Sequence, residues 1–127
     1  MSLKTPLGRV LGLGSAKSGF HHWWAQRLSA AALAPLALWF VASLLALPAL
    51  DHASLSAWLA APLPAVALTL LVLAMSWHSA LGLQVIAEDY VHRKPVRVAM
   101  LALIKLVHAA AAVAGVYSIL LVSLGAR

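Results

Sequence analysis

The chain has 127 residues, 64% of them apolar and only 9% charged, with a mean hydropathy of +0.96, a composition outside the range of soluble domains that makes it a membrane protein. Its formal charge of +6 comes from nine Lys and Arg against three acids, set in short groups with no continuous run for a phosphate backbone, so nucleic-acid binding is excluded. The absence of cysteine removes disulfides, thiolate metal sites, cysteine-ligated iron–sulfur clusters and thioether-attached haem.

Met1 to Gly19 is polar, basic and glycine-rich, and is expected to be an extended cytoplasmic arm. It has no apolar stretch of the signal-peptide kind. Phe20 to Trp24 then gathers two histidines and two tryptophans at the edge of an apolar run, the composition of an interfacial belt. Ala25 to Leu47 is the first span, long enough for a hydrocarbon core of about 30 Å, with Pro35 as a potential kink. Its one charge, Arg27, sits in the first turn, where it either snorkels to the headgroups or turns inward toward an anion. Pro48 to Pro64 carries Asp51, His52 and Trp58 without Lys or Arg, and Ser54 to Ala60 suits a short interfacial turn of helix.

The second span runs from Leu63 to about Ala87 and contains His78, flanked by Ser76, Trp77 and Ser79. An ionisable side chain inside a span points to function and to a partner. Two readings stand: a metal or haem ligand, or a neutral imidazole hydrogen-bonded across a helix interface. Asp89 lies eleven residues on, about 16 Å at about 1.5 Å per residue, which is nearly a whole number of turns. His78, Gly82, Val85 and Asp89 therefore share one stripe if the helix continues that far, and glycine one turn from the histidine leaves room for a flat group. Glu88 and Asp89 fall where the helix dipole disfavours negative charge, so an ion-pair cluster with Arg93, Lys94 and Arg97 is one reading of them. Tyr90 adds a phenol, as an interfacial anchor or as a donor. Pro95 suits the first turn of the third span, roughly Val98 to Leu124, which holds Lys105 and His108. His108 lies at a depth comparable to His78, which leaves an intrachain bis-histidine haem geometrically open.

The fold class that follows is an all-α membrane protein with three transmembrane helices, an arm over residues 1–19 and an anchor domain over residues 20–127. Basic residues crowd the N-terminal arm and the loop after Tyr90 and are absent from the first loop, which places the N-terminus in the cytoplasm and the C-terminus opposite. Three helices are too few to enclose a transport path, and their alanine-rich surfaces suit packing against other helices. The chain is expected to work as a subunit.

The segment HHWWAQRLSAAALAPL from His21, then His78, then Asp89 and Tyr90 eleven and twelve residues later, resembles the small hydrophobic membrane anchor subunit of bacterial succinate dehydrogenase, respiratory complex II, of the D type. The likeness runs from about Gly19 to the end of the third span, with Ser29 where many relatives have threonine. It implies a bundle of two anchor subunits in the bacterial inner membrane, with a periplasmic C-terminus, carrying one haem b and a ubiquinone site beneath an iron–sulfur subunit and a flavoprotein subunit. Under this resemblance His78 is one axial haem ligand, the other coming from a C-type cytochrome b anchor, and Arg27 approaches a haem propionate. Tyr90 hydrogen-bonds a quinone carbonyl, with Asp89 beside it for proton entry. Having neither cysteines for clusters nor a Gly-rich dinucleotide fingerprint, the chain does not oxidise succinate by itself. Two other readings remain: the anchor of a quinol:fumarate reductase, and a cofactor-free structural membrane subunit in which His78 and His108 are interhelical hydrogen-bond glue.

Overall fold

The computed structural model describes residues 16–125. Regular structure among them is all helical: α1 (Ala16–Leu45), α2 (His52–Ala60), α3 (Pro62–Tyr90) and α4 (Lys94–Gly125). Gly19–Leu45, α3 and α4 are each long and apolar enough to cross a membrane, as the three-span reading requires.

The helices reach beyond the sequence-derived spans at most of their ends. α1 begins at Ala16 and passes through Gly19, where glycine content had suggested an extended arm; the rest of that arm lies outside the described residues. One glycine costs a helix only about 1 kcal/mol, and continuing the helix brings Phe20 edge-on to Trp24 at 6.2 Å between ring centroids. Pro35 lies inside α1 without ending it. α3 opens with Pro62 in its first turn, where a missing amide proton costs nothing, and continues to Tyr90.

The short helix α2 starts on Asp51, whose carboxylate accepts the Ser54 amide at 2.8 Å. That bond holds the Asp51 carboxyl below the ordinary aspartate value. At its other end Trp58 stacks on Trp39 of α1 with centroids 6.0 Å apart, and so folds the first loop back onto the bundle.

The three long helices form a layer with α3 in the middle. It packs on α1 along one flank and on α4 along the other, while α1 and α4 do not meet among the described residues. Few side chains are buried: Ser29, Pro64, Ala65, Leu71, Ala87 and Ile119. Most leucines and valines face outward, as expected where the surroundings are lipid or another apolar subunit. The seams rely on small residues instead. The tightest is Gly115, where an added Cβ would stand 2.8 Å from Val72 Cγ1. Val72 is β-branched and stiff at χ1. Gly115→Ala is therefore expected to overpack the α3/α4 seam and cost about 1–3 kcal/mol, read as a lowered melting temperature of the assembled protein, and Val72→Ala in the same chain should recover most of the loss.

Candidate functional site

His78 faces α1 from the middle helix. Its Nδ1 lies 2.9 Å from Ser29 Oγ, and its Nε2 lies 3.3 Å from Gln26 Nε2. The single hydroxyl proton of Ser29 is given to the main-chain carbonyl of Gln26, at 3.0 Å. Ser29 Oγ can then only accept from the imidazole, which puts the ring proton on Nδ1. Nε2 keeps a bare lone pair, and the Gln26 carboxamide donates to it. Ser29 is 9% exposed, so water does not substitute for it.

The partners of His78 come from a polar stripe on α1. His22, Gln26 and Ser29 stand at i, i+4 and i+7, one face of a helix. Residue type alone points to His78 and not to this stripe, whose signal in the sequence is the helical spacing of three polar residues at the start of an apolar span. Two atoms on the stripe have no partner among the described residues: His22 Nε2 and Gln26 Oε1 are buried and unbonded. An unpaired buried polar atom costs about 1–3 kcal/mol.

His22 and Gln26 share a groove of about 630 Å³ with Gly82, Val85 and Glu88 of α3. Because α3 runs unbroken to Tyr90, the stripe of His78, Gly82, Val85 and Asp89 is continuous. A Cβ at Gly82 would meet only Gln26 Nε2, at 3.7 Å, an ordinary contact. The chain's own packing therefore does not demand glycine there, and the space that glycine leaves belongs to the groove.

The other sequence-derived residues stand apart from this cluster. Arg27 lies across the Trp23 ring, 5.1 Å from its centroid, as an exposed cation–π pair. Glu88 accepts the Gln84 carboxamide at 2.8 Å. Among the described residues neither Glu88 nor Asp89 comes within 4.0 Å of a basic nitrogen, so the ion-pair cluster with Arg93 and Lys94 is not formed. Tyr90 is 78% exposed, and its carbonyl accepts from His92 Nδ1 at 3.1 Å. A phenol and a carboxylate thus stand together at the C-terminal end of α3, both exposed among the described residues.

His108 belongs to the opposite seam. Its Nδ1 donates to the Ile104 carbonyl at 2.7 Å, its Nε2 meets Ser79 Oγ at 3.1 Å, and its own carbonyl accepts from Ser76 Oγ at 2.7 Å. The two imidazoles are directed into different helix interfaces. An intrachain bis-histidine pair is not what this arrangement makes.

Comparison with known proteins agrees on one family. Residues 1–121 match the model of the family described as succinate dehydrogenase/fumarate reductase transmembrane subunit. The chain is similar to the succinate dehydrogenase hydrophobic membrane anchor subunit of Rickettsia bellii, 36% identical over 73% of this chain and 74% of that one. Its counterparts in Rickettsia conorii and Paracoccus denitrificans are 32% and 34% identical, over 81% and 68% of this chain and 82% and 67% of theirs.

Removing the Ser29 hydroxyl strands the Nδ1 proton of His78 inside the α1/α3 seam. Ser29→Ala is expected to cost about 1–3 kcal/mol in a thermal melt of the assembled protein, whereas Ser29→Thr, which keeps the hydroxyl, should stay close to the parent.

Proposed function

The chain belongs to the succinate dehydrogenase/fumarate reductase transmembrane subunit family and is a hydrophobic membrane anchor subunit, and we propose that it helps hold haem b and form the site where ubiquinone is reduced. The observation that carries this reading is the state of His78: its Nδ1 proton is fixed on Ser29, and its Nε2 lone pair meets only a long hydrogen bond from Gln26 among the described residues. A neutral imidazole whose other nitrogen donates to a fixed acceptor has the form of an axial iron ligand.

The surrounding residues fit such a group. Among the described residues the side chain on His78 Nε2 is the Gln26 carboxamide, at 3.3 Å, so freeing that nitrogen for a ligand breaks one long hydrogen bond. Haem b, when bound, supplies one-electron chemistry at a potential set by its ligands and burial. His78 would supply one nitrogen ligand to the haem iron, and a C-type cytochrome b anchor another. Arg27 would exchange the Trp23 face for a propionate.

Quinone reduction needs two electrons and two protons, hence a donor to a carbonyl oxygen and a route from water. Tyr90 offers the donor and Asp89 the route, both at the exposed end of α3. Their exposure in the isolated chain supports a site completed by other subunits. Electrons would come from succinate through the flavoprotein and iron–sulfur subunits, since this chain has no cysteine to hold a cluster. The basic residues Arg93, Lys94 and Arg97 support an orientation with the N-terminus and the Tyr90 loop in the cytoplasm and the C-terminus in the periplasm of a bacterial inner membrane.

A cofactor-free packing role is a second reading, and a specific observation favours it: His78 and His108 both already have cross-helix partners. The dithionite-reduced minus oxidised spectrum of the purified complex separates the two. A b-type signal that is lost or shifted in His78→Ala is expected, and a complex without haem in either sample returns His78 to helix packing. Direction, toward succinate oxidation as the relatives' names suggest or toward fumarate reduction, is read from forward and reverse turnover with ubiquinone and menaquinone. In an assembled Tyr90→Phe complex, quinone-dependent turnover is expected to fall roughly 100-fold or more, while succinate oxidation with an artificial acceptor stays near normal; full quinone turnover would remove Tyr90 from the site.

A further inference from the structure

A second groove, of about 520 Å³, lies on the other flank of α3, against α4, within the roughly 300–1,000 Å³ range of ligand sites. None of the residues assigned above to haem or quinone lines it. Its floor is made of small side chains, Ala80 on α3 and Ala109 and Ala112 on α4, with Leu73 at one end and Lys105 and Gln84 toward the other. Trp77, 61% exposed, forms part of its wall. The trough is therefore mostly apolar, with Ser76 and His108 along the seam and Lys105 and Gln84 toward one end.

Lys105 is the feature that ordinary packing does not explain. It lies eleven residues into α4, about 16 Å from Lys94 at about 1.5 Å per residue. Ser79 meets His108 across the seam and the two helices are antiparallel, so Lys105 stands near the level of Gly82 and Leu83. Its butyl stem can carry the ammonium toward Gln84 and the α3 C-terminus. A cation at such depth calls for an anion. Among the described residues no carboxylate lies within 4.0 Å of it, and both ring nitrogens of His108 are already engaged. Arg93, Lys94 and Arg97 at the same end of α4, with Lys105, outnumber Glu88 and Asp89 at the facing end of α3. Gln84 gives one N–H to Glu88 and keeps another to donate.

From this charge complementarity we infer that the α3/α4 groove holds one anionic diacyl phospholipid. An acyl chain lies over Ala80, Ala109 and Ala112, and the phosphate meets the Lys105 ammonium with a Gln84 N–H beside it. A zwitterionic lipid brings its own cation to compete with Lys105, and a neutral quinone brings no anion, so neither answers the charge in the groove. The inference rests on the geometry of this seam and not on the haem or quinone reading.

Native mass spectrometry of the purified complex, relipidated with phosphatidylglycerol or with phosphatidylcholine, tests it. The expected result is a phosphatidylglycerol retained per copy that phosphatidylcholine does not replace. Occupancy should fall at least tenfold in Lys105→Gln, which removes the charge, and in Ala109→Leu, which fills the trough, and should persist in Lys105→Arg. Equal retention of both lipids, or unchanged phosphatidylglycerol in Lys105→Gln and Ala109→Leu, overturns it. So does loss of a protein subunit from these variants with the lipid count unaltered, which would make the groove a seat for another helix. An unchanged reduced-minus-oxidised spectrum in Lys105→Gln keeps this result separable from the reading of His78.

Discussion

The rotation of α3 about its own axis decides what this chain can do, and in an apolar medium that rotation is set by a few hydrogen bonds. Lipid tails are as apolar as leucine, so hydrophobic contact alone hardly distinguishes one rotation from another. Polar pairs do, because each is directional and no water competes for it. On one flank Ser29 and Gln26 hold the His78 ring; on the other, Ser76 and Ser79 hold the carbonyl and ring of His108. Each interhelical bond is worth only about 1 kcal/mol or less, yet together they fix the middle helix from both sides. The stripe from His78 to Asp89 is aimed by that clamp.

The same physics accounts for the sparse interior. Three helices in a layer cannot bury much of one another, and the large apolar side chains point outward. What the seams demand is close approach, supplied by Gly115 against Val72 and by buried alanines. Two hydroxyls without a cross-helix partner are turned back on their own helix, Thr69 to the Ala65 carbonyl at 2.8 Å and Ser118 to the Ala114 carbonyl at 2.8 Å, which satisfies these donors without water. A surface built this way suits a subunit whose remaining faces meet lipid and partner chains.

The site itself is divided by depth. His78 is deep, with its tautomer fixed by a serine that is in turn oriented by a backbone carbonyl. Tyr90 and Asp89 are at the C-terminal end of the same helix, exposed, and their side chains make no hydrogen bond or ion pair among the described residues. One rigid helix thus holds a candidate ligand and a candidate proton-donating site at fixed separation, and the groove between them is walled on the α1 side by His22 and Gln26, each with a buried polar atom that has no partner among the described residues.

Hydropathy is a sum along the chain, so the sequence by itself determined the membrane class, the three spans and their order, and His78 as the polar group that a span must justify. The resemblance carried by the His21 segment, His78, Asp89 and Tyr90 reached the family. Helical continuity from Leu63 onward also made the shared stripe legible, since periodicity on one helix is a local property. The tertiary structure alone decided that His78 meets Gln26 and Ser29, that His108 belongs to the other seam, that Arg27 rests on Trp23, and that a second groove opens beside Lys105. Spans that are apolar nearly all round carry little amphipathic signal to say which face meets which neighbour. That choice is made between helices, by pairs far apart in the chain, and only packing brings those pairs together.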